Sequence, residues 1–147
     1  MKYICSACIL GIKCRYDGGS NKIEKILCKF SDDLLVPACP EQLGGLPTPR
    51  EPCEPTKDGK KIIQGEGKVS TKSGQDITNL IIKGGNQVLK IARLLDINKA
   101  IMKQGSPSCG YGKIPDGNFS GNRIKGIGIA SAILEENGIK IYTEKDI

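Results

Sequence analysis

Short apolar runs of four or five residues alternate along the whole chain with stretches whose apolar residues recur every three or four positions. Lys2–Ser6, Leu34–Pro37, Ala100–Lys103 and Lys140–Thr143 are the short runs. They are too brief for helices and are bounded by turn-formers, so they read as strands. After the first of them, Ile23, Ile26, Leu27 and Phe30 fall at i, i+3, i+4 and i+7, with Asn21 as the expected helix cap. The longest helix is expected over Ile77–Leu95, where Ile77, Leu80, Ile81, Val88, Leu89, Ala92 and Leu95 form one stripe. Gly84 and Gly85 lie on that stripe. A glycine inside a helix costs up to about 1 kcal/mol against alanine, so a close approach to another backbone is expected there. A last helix is centred on Ile129–Glu136, with Gly138 as its stop signal.

The resulting order, β-α-β-α-β-α-β, predicts an α/β fold: one domain over residues 1–147 with a mainly parallel sheet flanked by helices. One irregular insertion, after the second strand, interrupts the alternation. Cys39–Glu54 holds two cysteines, three glutamates, Arg50, a Gly-Gly pair and four of the eight prolines. It reads as a rigid loop, neither helix nor long strand. Lys57–Gly74 is expected to form a small exposed hairpin around Ile62–Ile63 and Val69. The SPSCGYGKIPDG segment is expected to be a loop.

Open parallel sheets bind ligands outside the carboxyl ends of their strands. Cys8 follows the first strand, Cys39 the second, and Cys109 lies in the loop after the third. The topology therefore gathers three thiols at one edge, and a metal site is expected there. Seven cysteines cannot all pair, and histidine is absent, which excludes Ser–His and Cys–His dyads and any His-containing zinc site. Three thiolates without a fourth partner suit a [4Fe–4S] cluster with one open iron, or a catalytic zinc bearing water. Cys5 lies inside a strand and Cys28 beside a helical stripe, whereas Cys14 and Cys53 flank the expected site as spare thiols. Glu41, two residues after Cys39, is the candidate acid or base. Ser106 can orient a substrate or relay a proton, and Ser108 of the same motif is grouped with the substrate-binding residues. Arg50 offers a planar fork for an anion or carbonyl, against an ordinary pairing with Glu51 or Glu54. Arg15, Tyr16 and Asp17 precede Gly18–Gly19 at an expected helix start, where backbone amides and Arg15 can hold a phosphate.

No apolar run is long enough to span a bilayer. The lysine- and cysteine-bearing N-terminus reads as a buried strand of a cytoplasmic protein rather than a signal peptide. The formal charge of +6 suits either a soluble lysine-rich surface or attraction for an anionic substrate. With 4% aromatic residues, a base-stacking platform is poorly supported, and no stable nucleic-acid partner is expected.

Three segments, SACILGIKCRYDGGSN, VPACPEQLGGLPTPREPCE and GSPSCGYGKIPDGNF, together resemble the DUF523 family, and the likeness runs through the closing GIGIASAILEENGIKIYTE. The resemblance implies a [4Fe–4S] cluster held by Cys8, Cys39 and Cys109, with Glu41 and Ser106 as the catalytic acidic and hydroxyl residues. It further implies non-redox removal of sulfur from a thiolated pyrimidine or its nucleotide, the substrate sulfur binding the open iron. A sulfide carrier for RNA or metabolite thiolation, and a metal-stabilised RNA-binding module, are the alternatives.

Overall fold

A computed structural model describes all residues, 1–147. The chain runs β1 (Lys2–Ser6), a 3-10 turn (Ala7–Leu10), α1 (Glu24–Lys29), β2 (Leu34–Ala38), α2 (Pro40–Leu43), β3 (Cys53–Pro55), α3 (Gly59–Ile63), β4 (Val69–Thr71), α4 (Thr78–Leu94), β5 (Lys99–Met102), β6 (Tyr111–Pro115), β7 (Arg123–Ile127), α5 (Ile129–Glu136), β8 (Lys140–Thr143) and a closing 3-10 turn. Four strands form one sheet in the order β2-β1-β5-β8, every neighbouring pair parallel. The strands are short and almost wholly apolar because both faces are covered. Ile4, Ala100, Met102 and Ile141 point into a core shared with α4 and α5. Their alternates Tyr3, Cys5 and Ile101 point the other way, onto Ile26 of α1. The α/β fold with a parallel sheet between helices is therefore as expected, and no helix is long and apolar enough to cross a membrane.

Two antiparallel hairpins are added to this frame, and both depart from expectation. Ile62 and Ile63 belong to helix α3, not to a hairpin, because Asp58 caps the turn by accepting from Lys60 N. Val69 does enter a strand, but its partner is the β3 segment, Pro55 facing Val69 and Cys53 facing Thr71. Ile62 and Val69 are buried rather than exposed. The SPSC-containing segment leads into the second hairpin, β6–β7, in which Lys113 faces Lys125. Asn21 does not cap α1. Its side-chain oxygen accepts from Arg15, and Ile23 occupies the cap position without a side-chain bond.

Of the two helical glycines, Gly84 meets backbone as the sequence predicts, whereas Gly85 lies first against the Ile133 side chain, at 2.7 Å from an added Cβ. A Cβ on Gly84 would lie 1.8 Å from the Pro40 carbonyl oxygen, and one on Gly44 would lie 2.1 Å from the Leu80 oxygen. Helix α2 therefore rests backbone-to-backbone on α4, with no room for side chains between them. This contact fixes where the residues after β2 stand relative to the sheet.

Candidate functional site

At the carboxyl edge of the sheet lies a cavity of about 360 Å³. Cys8, from the turn after β1, Cys39, directly after β2, and Cys109, after β5, all line it. Adjacent parallel strands make this convergence unavoidable: Ser6 and Ala38 stand side by side at the ends of β1 and β2. All seven cysteines are free. No group of three or more Cys, Asp or Glu side chains gathers closely enough to hold a single metal ion.

The Cys39 loop is not irregular throughout. Pro40 starts the single turn α2 because it needs no N–H partner there, and this turn carries Glu41. The end of the loop joins strand β3 at Cys53. Glu41 is 13% exposed and forms an ion pair with Arg50, Nε to Oε1 at 3.0 Å. Its other oxygen, Oε2, accepts from Ser108 Oγ at 2.8 Å. Arg50 pairs with neither Glu51 nor Glu54. Glu51 instead accepts from Ser73, and Glu54 accepts from the amides of Gly117 and Phe119.

The Cys109 loop is tied to the start of α5. Carbonyls of Pro107 and Ser108 accept from the amides of Ile129, Ala130 and Ser131, which are the otherwise unpaired donors of that helix end. Ser131 Oγ then donates to the Cys109 carbonyl at 2.7 Å. Within the loop, Ser106 Oγ accepts from the amides of Ser108 and Cys109. Its own hydroxyl hydrogen remains available at the cavity wall, which Ser106 lines. Ser108 is fully buried and does not line the cavity.

Cys14 holds a central position among the thiols. Its S–H stays protonated, because hydrogen bonds to Cys39 and Cys8 together with burial push it upward. The Cys8 thiol is lowered to about 6, chiefly by the Cys14 hydrogen bond, with Asn21, Lys103 and Arg15 adding to it against burial. Cys39 is lowered to about 7, again first by Cys14, then by the Gln42 amide and Arg50. Burial pushes the Cys109 thiol well up, opposed by a hydrogen bond with Ser6.

Arg15 and Tyr16 line the cavity, but Asp17 does not. Asp17 instead holds Arg15 through both of its oxygens and accepts from Gly19 N. Gly18–Gly19 form a turn well before α1 begins at Glu24, so the expected phosphate cradle at a helix start is absent. Further wall residues escaped the sequence reading: Asn21, Glu54, Lys103, Gln104 and Arg123. Lys103 had a legible signal, since it ends a strand at the same edge as the cysteines. Arg123 had none, because only the β6–β7 pairing carries it there.

A family model described as 2-thiouracil desulfurase matches residues 4–146. The uncharacterised protein YbbK of Bacillus subtilis (strain 168) is 40% identical over 143 residues, spanning 97% of this chain and 95% of that protein. Among solved structures, the [4Fe-4S]-dependent thiouracil desulfidase TudS (DUF523Vcz) superposes with a TM-score of 0.84 at 38% identity, covering 99% of this chain and 92% of that one.

Proposed function

The chain belongs to the 2-thiouracil desulfurase family, and from that premise we propose that it is an iron–sulfur enzyme converting thiouracil, or a thiolated uracil nucleotide, to the uracil compound and hydrogen sulfide. The observation that carries this reading is the meeting of Cys8, Cys39 and Cys109 in one cavity with Glu41. The donor set suits the group: soft thiols without histidine favour iron–sulfur ligation. Cys8, Cys39 and Cys109 would hold the [4Fe–4S] cluster. When bound, it supplies an open iron that acts as a Lewis acid toward a thiocarbonyl sulfur.

The remaining chemistry falls to side chains. Glu41 takes a proton from water as the water oxygen bonds to the thiocarbonyl carbon. The C–S bond then breaks and the sulfur leaves with the protons that water supplied, so one water enters, one hydrogen sulfide departs, and no electrons are exchanged. Ser106, which lines the cavity and whose hydroxyl donates to no protein acceptor, orients the substrate. Arg15 and Tyr16 also line the cavity, with the Arg15 guanidinium 5.7 Å from the Tyr16 ring centre, and Asp17 acts by holding Arg15. The reaction belongs to the cytoplasm, where free thiols stay reduced.

Anaerobic reconstitution with iron and sulfide, followed by addition of 4-thiouracil, tests this. A brown protein that bleaches the near-ultraviolet thiocarbonyl band and releases sulfide is expected. Cys8→Ala, Cys39→Ala and Cys109→Ala should each lower bound iron, whereas Cys28→Ala should not. A colourless protein with stoichiometric zinc, or a brown one that leaves the thiocarbonyl band intact, overturns the proposal.

A further inference from the structure

We propose that Arg50 and Ser108 are positioning residues that grip the Glu41 carboxylate from both sides and fix its orientation in the cavity, an inference that rests on the desulfidase reading above. Each carboxylate oxygen of Glu41 already accepts a hydrogen bond, Oε1 from Arg50 Nε at 3.0 Å and Oε2 from Ser108 Oγ at 2.8 Å. Both oxygens are therefore held by donors from separate segments, so the carboxylate cannot turn about its last bond without losing one of them. These bonds, together with Cys53 Sγ donating to Oε1 at 4.0 Å, define the plane of the carboxylate and set the direction in which it can still accept.

Both donors are themselves immobilised. The Arg50 side chain is 6% exposed. It donates onward through Nη1 to Pro47 O at 3.1 Å and Thr48 Oγ1 at 3.0 Å, and through Nη2 to Cys14 O at 2.9 Å. Four of its five N–H groups are thus committed, which leaves little with which to bind a substrate. Ser108 is held through its amide by Ser106 Oγ and through its carbonyl by the first amides of α5. It does not reach the cavity, so its hydroxyl can act only through Glu41. The grip also ties the loop carrying Cys109 to the turn carrying Glu41, which keeps base and thiol edge in one register.

The test is a cycle on the reconstituted enzyme with 4-thiouracil. Ser108→Ala should lower kcat about tenfold, the loss expected for one hydrogen bond to a charged group, with KM within twofold and iron content unchanged. In Glu41→Asp the shortened carboxylate cannot reach both donors, so adding Ser108→Ala there should change kcat less than twofold. Arg50→Lys, which keeps the charge but loses the fork, should also lower kcat with iron retained, and it carries the test if Ser108→Ala misfolds. A rise in KM at constant kcat, an unchanged kcat, a repeated tenfold loss in Glu41→Asp, or loss of iron from both variants overturns the positioning role. A wild-type enzyme that leaves thiouracil untouched overturns the desulfidase reading itself, a failure distinguishable from any of these.

Discussion

Gly84→Ala is the change that most directly tests how the site is built. The added methyl would sit 1.8 Å from the Pro40 oxygen, 2.7 Å from its carbonyl carbon and 3.1 Å from Gly44 N. All three atoms are backbone, and the Pro40 carbonyl already accepts the Gly44 amide that closes α2. No rotamer change relieves the overlap, so α2 must move off α4. Overpacking of this kind costs about 1–3 kcal/mol, and the backbone clash belongs at the upper end. Replacing glycine in a helix interior returns up to about 1 kcal/mol. The net loss is about 2 kcal/mol, equivalent to roughly 6 °C in Tm for a domain of this size. Urea unfolding at constant m value measures it. Gly85→Ala should be milder, because its nearest neighbour at 2.7 Å is the terminal methyl of Ile133, which can turn aside. Exposed Lys83→Ala serves as the neutral control. Because α2 follows Cys39 and contains Glu41, bound iron and turnover should fall in Gly84→Ala as well. A urea midpoint at or above wild type would refute the argument, since it would mean that helix propensity outweighs the contact.

Two further predictions concern the cavity wall. In iron-free protein, alkylation should modify Cys8 and Cys39 first among the non-exposed thiols. The lowered Cys8 value of about 6 means that thiolate predominates above that pH and is lost below it, so its labelling rate should climb through pH 6 and level off. Cys5, pushed up to about 12 by burial, should stay unlabelled at neutral pH, and peptide mass spectrometry reads both. Uniform labelling would contradict the hydrogen bonds assigned to Cys14. Glu54→Ala removes the acceptor for the Gly117 and Phe119 amides at 3.0 and 3.1 Å. It should destabilise by about 1–2 kcal/mol and accelerate hydrogen exchange at those two amides. Unchanged exchange would show that Glu54 does not hold that loop.

Legibility followed burial. Strands β1 and β8 end where the sequence pattern ends them, and α4 fits the Ile77–Leu95 stripe to within one residue at each end. Each of these elements keeps a regular buried face, as Ile81, Val88, Leu89 and Ala92 do on α4, so its hydrophobic period is clear. Strands β6 and β7 expose Lys113, Arg123, Ile124 and Lys125 to solvent, and no alternation marks them. Helix α3 is a five-residue turn held by the Asp58 cap and by contact of Gly59 with the Ile127 and Gly128 backbone. The cap is local but too weak a signal alone, and the Gly59 contact comes from a segment far along the chain. Short elements are made by their neighbours rather than by their own pattern.

By itself, the order of apolar runs determined a parallel α/β sheet. A parallel sheet has one carboxyl edge, so it also determined that Cys8, Cys39 and Cys109 would meet. The absence of histidine narrowed the chemistry to thiols and carboxylates. Tertiary structure alone decided what those groups do to one another. It seated Cys14 between Cys8 and Cys39, and turned Arg50 onto Glu41 instead of its sequence neighbours. It also withdrew Ser108 from the cavity to hold the far carboxylate oxygen. Topology is written in periodicity along the chain, whereas hydrogen-bond partners depend on sub-ångström placement of segments far apart in sequence, and only the packed fold supplies that.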